Sequence, residues 1–368
     1  MADPISGVQD GVQCTIRFAN GREVSLNDML TRVTHIRGFN LGTSYCILET
    51  LHTSLAAMDE FSVHSEFTLE YSRANEKSPK TQMEIYRIDN GVTLGSVGTR
   101  VIGVEPGWLK MMEKTKVRSF QKQAISSIIA QLGKEAGLQT KIQSTSGTGT
   151  FIQTNVSDFQ FIRQYLQPLA TDSAGNAPYL FTIDNGILYF QLPLLNQKPA
   201  VTHSVTSTID SVIKKWIVRS LESNMDMATG NQITTYGYDF QKKGPLKVKP
   251  TLQTTIRTSL NKKPMTSDFT RARITPYPQQ WMLNASSKNE LGRSQFSIEV
   301  DAIIDSYTMF NPGTLIHFLV NEELEGKPQE YSGRYYVYEL CNSIMPNHFT
   351  AHMLLRSNAL LKDQVAGD

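Results

Sequence analysis

Between Ser119 and Pro193 the apolar positions switch repeatedly between helical and strand spacing. Ile125, Ile128, Ile129, Leu132 and Ala136 recur at three- and four-residue steps, which puts them on one face of a helix. Ser119 is placed to N-cap that helix, and Gly137 to end it in the positive-φ conformation that glycine tolerates. A polar run, Gln143 to Thr150, leads to an extended piece at Phe151–Thr154. Ser157 with Gln160 three residues on is a capping box, and Phe159, Phe161, Ile162, Tyr165 and Leu166 supply the apolar side of a second helix. A loop rich in Pro, Gly and Asn, Pro168 to Pro178, breaks it. Tyr179–Ile183 and Ile187–Leu192 then flank Asp184-Asn185-Gly186, a hairpin signal because Asn-Gly accepts positive φ at both turn positions.

On either side of this segment the spacing is mostly that of strands. Val12–Phe18 alternates and turns at Asn20-Gly21 into Arg22–Leu26; Thr31–Phe39 follows. Leu41–Phe61 fits either a helix, through Leu48, Leu51, Leu55 and Met58, or a strand, through Tyr45–Leu48. Phe61–Tyr71, Gln82–Ile88 and Val92–Val104 complete the first region, with a turn expected at Asn90-Gly91. Gly103–Gly107, with Pro106, closes it. After the central segment, Val212–Leu221 and Gln232–Phe240 are strand candidates. So are Gln295–Ile304, Thr314–Val320 (after the Asn311-Pro312-Gly313 turn), Arg334–Leu340 and His348–Leu355.

Between those strands lies a stretch of different composition. Residues 241–273 hold nine Lys/Arg against Asp268 alone, a local charge of +8, and Gly244, Pro245, Pro250 and Pro264 predict an irregular insertion that continues to 294. The whole chain of 368 residues carries only +2, so the remainder sums to −6 and there is no global preference for nucleic acid or membrane. Residues 295–330 hold seven acids and Lys327, or −6. Cys14, Cys46 and Cys341 lie far apart without a CxxC pair, which argues against a metal cage or disulfide framework. The N-terminus lacks the basic-then-apolar pattern of a signal peptide, and no apolar run approaches the ~18 residues of a membrane span.

The phrases AISSIIAQLGKEAGL, FIQTNVSDFQFIRQYLQPLA and PYLFTIDNGILYFQLP together resemble the α/β segment of phage baseplate hub proteins. That family includes the late-control protein D group and the N-terminal part of type VI secretion spike proteins. The closing strands, NPGTLIHFLV and YSGRYYVYELCNSIMPNHFTAHMLLRS, are similar to the last barrel strands of the same family. The first 110 residues match by β character and position alone.

The resemblance implies an α+β, mainly β fold: two similar antiparallel, tail-tube-like β-barrels with an α/β domain between them. Here the boundaries would be 1–110 for the first barrel and 111–205 for the α/β domain. The second barrel would be discontinuous, 206–240 and 295–358, with 241–294 as the basic insertion and 359–368 as a C-terminal tail. It also implies a homotrimer whose six barrels form a ring, joining a sixfold tail tube to a threefold central spike and helping to start tube assembly. The implied partners are the tail tube protein, the spike, the tape-measure C-terminus and other baseplate subunits, with DNA only in transit. The setting would be a virion baseplate made in the host cytoplasm. No membrane anchor, cofactor, metal or catalytic residue is implied. The chain ends soon after the last barrel strand, so the spike is expected to be a separate polypeptide.

Candidate chemistry adds little. There is no Walker, GxSxG or HExxH pattern. Gly147-Thr148-Gly149 has no following lysine and fits a loop better than a phosphate cradle. His348 and His352 lie in a strand-like run with no third ligand nearby. Asp301 with Asp305, or Glu322 with Glu323, could be paired carboxylates of a glycosidase, but surface placement is favoured. Lys242, Lys243, Lys247, Lys249, Lys262 and Lys263 form either a solvated loop or a docking surface for an acidic partner. Nucleic acid is disfavoured because stacking aromatics other than Phe269 are scarce in that stretch. Glu299, Asp301 and Asp305 are candidates for an inner ring wall that repels passing DNA. The rival readings are a tail-tip peptidoglycan-degrading enzyme and a distal-tail or tip protein of a non-contractile phage.

Overall fold

The structure, a computed structural model, describes residues 12–25, 30–50, 61–73, 76–93, 96–193, 201–206, 218–225, 230–239, 242–250, 267–274, 277, 279–295, 298–304, 311–321, 333–346 and 348–357. The first region contributes β1 (Gln13–Phe18), β2 (Glu23–Ser25), β3 (Leu30–Gly38), β4 (Tyr45–Thr50), β5 (Glu66–Arg73), β6 (Glu76–Lys77), β7 (Thr81–Thr93) and β8 (Ser96–Val104). The central segment holds α1 (Pro106–Glu113), β9 (Thr115–Gln123), α2 (Ile125–Glu135), β10 (Gln139–Ile142), β11 (Gly149–Ser157) and α3 (Asp158–Gln160). The α3 turn runs on through a wide π turn, Phe161–Leu166, and a 3₁₀ turn, Gln167–Leu169, before β12 (Leu180–Asp184) and β13 (Ile187–Gln191). The last region holds β14 (Val201–Thr206), β15 (Val218–Met225), β16 (Gly230–Asp239), β17 (Gly244–Val248), β18 (Ser267–Ile274), α4 (Gln280–Gln295), β19 (Ile298–Ile304), β20 (Leu315–Asn321), β21 (Gly333–Met345) and β22 (His348–Ser357).

The strands of the first region and, apart from β16–β18, those of the last join in one 14-stranded sheet, with the central path β15-β19-β22-β21-β3-β4-β8-β7-β5-β1-β2. The seam is the antiparallel pair β3–β21, in register from Val33↔Ile344 to Gly38↔Glu339. One apolar core spans it. Ile16, Val33, Leu48, Leu69, Met83 and Ile85 from the first region cluster with Val337, Leu340, Ile344, Phe349, Met353 and Leu355 from the last. Each fully buried side chain of this kind stabilises by about 1.5–3 kcal/mol, against about 0–1 kcal/mol for exposed ion pairs such as Arg100–Glu49. The shared core and ladder, not surface charge, therefore hold the two β regions together.

The central segment has a second core of Phe120, Ile128, Ile129, Leu132, Phe161, Ile162, Phe181, Leu188 and Phe190. The capping box forms as the sequence predicts: Gln160 N–H donates to Ser157 Oγ, and Ser157 N–H to Gln160 Oε1. The hairpin also forms, with Asn185 at φ 52° and Gly186 at φ 71° between β12 and β13. Gly137 ends α2 at φ 79°.

Four expectations change. Ser119 is not a cap but a residue of β9, opposite Ile152 of β11, and α2 begins only at Ile125. Its first-turn Ser126 N–H finds Thr145 Oγ1 at 3.0 Å, a donor–acceptor pair closed by tertiary contact and invisible to a local cap rule. Asn90-Gly91 is not a turn: β7 runs through it, pairing Gly91 with Gly98, and the ladder continues to Thr93↔Ser96. The strand at 232–240 does not join the long sheet; β16 pairs with β17 and β18 in a separate three-stranded sheet. The basic stretch is regular over its described part: it forms β17 and β18, and residues 280–295 beyond it are helical. Among the described residues, Gly244 and Pro245 sit at the start of β17 and Pro250 beyond its end, where they cost no ladder bond, while Pro264 lies outside the described residues.

Candidate docking surface

The short sheet β17-β16-β18 lies against α4. Gly237 makes this possible: a Cβ there would stand 3.1 Å from Leu283 Cδ1 and 3.2 Å from Tyr277 O. With one face held by the helix, alternation turns Tyr236 and Tyr238 outward, 39% and 45% exposed. Ile274, opposite Tyr236 on β18, is 87% exposed, and Lys247, opposite Tyr236 on β17, holds its ammonium 5.6 Å from the tyrosine ring centre. The contact is a cation–π pair at a solvent-exposed site, worth about 0.5–1 kcal/mol. Lys242 and Lys243 form the β16–β17 turn, and Lys249 follows β17. The surface thus combines four lysines with two tyrosines and an isoleucine. The tyrosines stand outside the 241–273 window, so composition within that window could not reveal them. Lys262 and Lys263 lie outside the described residues.

Of the acidic candidates, Glu299 and Asp301 lie on β19, between β15 and β22, opposite Arg356 and Leu354 of β22. Asp305, Glu322 and Glu323 lie outside the described residues. His348 and His352 sit on β22; His348 Nε2 lies 2.9 Å from Thr350 Oγ1, and no cluster of three metal-ligating side chains occurs among the described residues. At the long sheet's ends, β15 and the three-residue β2 are terminal in the strand path.

The orientation of the α/β unit against this platform is set by a buried polar joint. Arg37 of β3 donates from Nε to Asp184 Oδ1 (2.8 Å) and from Nη2 to Asp184 Oδ2 (2.6 Å), and Nη2 also reaches Asn311 Oδ1 (2.7 Å). The two side chains are 6% and 1% exposed. Beside them the Glu105 carboxylate, just before α1, accepts from Asn185 N–H (2.5 Å), Gly186 N–H (3.1 Å) and Ser44 Oγ (2.8 Å). Burial first, and then the charge of Asp184, push Glu105 up to about 7, against the three donors that favour the ionised form. The backbone adds Ser44 N–H to Ile183 O, Ile183 N–H to Gly42 O, and Thr182 Oγ to Gly38 O. Sequence inspection identifies the hairpin but not this joint, because its charged partners stand 147 residues apart.

No protein-family model and no curated protein matches the sequence. Solved structures do match. The tail protein from Neisseria meningitidis MC58 aligns over 95% of this chain and 97% of its own, with a TM-score of 0.66 at 9% identity. The 43 kDa tail protein of prophage MuSo2 from Shewanella oneidensis aligns over 95% and 99%, with a TM-score of 0.66 at 11% identity. A type VI secretion component of Escherichia coli, itself described as structurally similar to the bacteriophage T4 tail proteins gp27 and gp5, aligns over 92% and 76% with a TM-score of 0.53 at 8% identity. The chain has the fold of phage tail proteins and of type VI secretion components.

Proposed function

We propose that this chain, built on the phage-tail fold, is a structural subunit of the baseplate hub of a phage or phage-like tail, and not an enzyme. The observation that carries the reading is the likeness to two tail proteins over essentially their whole length, 97% and 99%. Three copies close head-to-tail into a ring, because heterologous contacts that close give cyclic symmetry. Each copy brings two β regions, so the trimer offers six similar docking positions to the tail tube and three to a central spike. The continuous sheet supports this use: a rigid β3–β21 seam keeps the two regions of each chain at a fixed angle, which a ring requires. The domain limits follow the same reading: a first barrel at 1–110, the α/β domain at 111–205, and a second barrel at 206–240 and 295–358.

The tape-measure C-terminus and neighbouring baseplate subunits are further partners, and the basic sheet at Lys242, Lys243, Lys247 and Lys249 is the docking surface for an acidic one. Glu299, Asp301 and Asp305 face the lumen and keep DNA in transit from adhering. The particle is a virion, assembled in the host cytoplasm. Light scattering of the purified protein tests the reading. A mass near 124 kDa, three 41.3 kDa chains, is expected with or without its spike, and a stable monomer in the presence of spike and tube proteins would overturn it. Turnover of cell-wall substrate by the protein, abolished on changing Glu299 and Asp301, would favour the enzyme instead.

A further inference from the structure

A cavity of about 450 Å³ opens between the loop at 146–149, the loop at 171–175 and one face of α4. Its volume falls within the ~300–1,000 Å³ of small-molecule sites. Trp281, Asn284, Ala285 and Lys288 reach it from α4 at steps of three, one and three residues, which is a single helical stripe. The floor is apolar, made by Ile125, Phe151 and Leu169, all buried.

The wall has a specific chemistry. Trp281 is 40% exposed and stands edge-on to Phe151, ring centres 6.0 Å apart, with its Nε1 held by Gln279 Oε1 at 2.6 Å. Gly149 lets it sit there, since a Cβ would come within 3.1 Å of Trp281 Cζ2. The indole is therefore fixed, with open face left over. The Lys288 ammonium rests against Gly175, which has φ +80°, and has no carboxylate within ion-pair distance among the described residues. The nearby Asp172 is committed to Asn176, accepting from its backbone N–H and its Nδ2 at 2.7 Å each. Thr148, Ser173 and Asn284 add hydroxyl and amide groups. Gly147-Thr148-Gly149 lacks an adjacent lysine in sequence, but the fold supplies one from α4.

We propose that this cavity binds an acidic saccharide unit, with its ring on Trp281 and its anionic group at Lys288. A flat aromatic surface takes the C–H face of a sugar ring, and the hydroxyl and amide groups take its hydroxyls. A single cation without a partner carboxylate selects an anion over a neutral sugar. At Gly147 the backbone borders open space, where a Cβ would meet nothing within 4 Å.

The test is ligand-observed NMR and calorimetry on the full chain with glucuronate, glucose 6-phosphate, glucose and acetate. Glucuronate or glucose 6-phosphate is expected to bind saturably, at least about tenfold more tightly than glucose or acetate; the tighter of the two tells whether carboxylate or phosphate is preferred. Lys288→Gln is expected to remove that advantage over glucose, and Trp281→Ala to abolish binding of both. Should Trp281→Ala disturb the contact with Phe151, the charge-removing Lys288→Gln variant, checked by circular dichroism, carries the test. Absence of saturation with either acidic sugar, acetate binding as well as they do, or unchanged binding in Lys288→Gln would each overturn the proposal.

Discussion

Two buried groups near the β3 seam titrate in opposite directions, and their effects on stability should cancel. His35 lies in the core with Nδ1 3.1 Å from Tyr71 OH; burial first, and then the Arg37 charge, hold it down to about 3 from an ordinary 6.5. Glu105 is held up to about 7 from an ordinary 4.5. Between pH 4.5 and 6.5 unfolding therefore takes up a proton at His35 and releases one at Glu105. The histidine contributes stability that is present above pH 6.5 and lost as pH falls toward 3. The glutamate contributes stability that is present below pH 4.5 and lost as pH rises toward 7. Over the two-unit window each is worth about 3 kcal/mol with opposite sign, so wild-type stability should be nearly flat there. Removing one partner exposes the other. Glu105→Gln should make stability rise by about 3 kcal/mol from pH 4.5 to 6.5, and His35→Leu should make it fall by about as much. Urea midpoints at half-unit pH steps, with m checked for constancy, measure both slopes. Profiles of the two variants that run parallel to wild type would refute the assignment of these protonation states.

Three further outcomes follow from the same contacts. Asp184→Asn removes the carboxylate charge paired with the buried Arg37 guanidinium and should cost about 3–5 kcal/mol. The double variant Arg37→Met/Asp184→Asn should be less destabilised than the sum of the singles, as a double-mutant cycle in urea would show. Asp184→Asn should also lower the pH at which Glu105 ionises, so that its opposing contribution ends earlier and stability should rise with pH just below 6.5, where wild type is flat. Ser157→Ala removes one side of the capping box and should cost about 1 kcal/mol by the same assay, with Ser157→Thr restoring most of it.

What could be read from the sequence was what short-range chemistry determines. The capping box at Ser157–Gln160, the Asn185-Gly186 turn, the glycine stop at Gly137 and the strand after Asn311-Pro312-Gly313 each follow from a few adjacent residues. What could not be read depended on distant partners. Asn90-Gly91 has the composition of a turn, but pairing with Gly98 and Thr99 overrides it. Helix α4 is not legible as a helix because polar residues share its buried positions: beside Leu283, Ala285 and Leu291, Ser286, Ser287 and Asn289 are buried, and Ser287 Oγ and Asn289 Nδ2 donate to the carbonyls of Leu283 and Ala170. A hydrophobic period is absent there, although the helix is not exposed. The Lys-rich stretch was legible as charge, yet the tyrosines that share its face come from β16, and Lys262 and Lys263 lie outside the described residues.

In the proposed trimer, three chains, each with two β regions locked by one seam, make a sixfold-like platform. Cryo-electron microscopy of the assembled tail end, refined without imposed symmetry, measures this directly. Three copies of the chain in a ring are expected, with the first and last β regions alternating at about 60° steps beneath the first tube layer. Six copies, a single copy, or a ring in which only one β region of each chain meets the tube would contradict it.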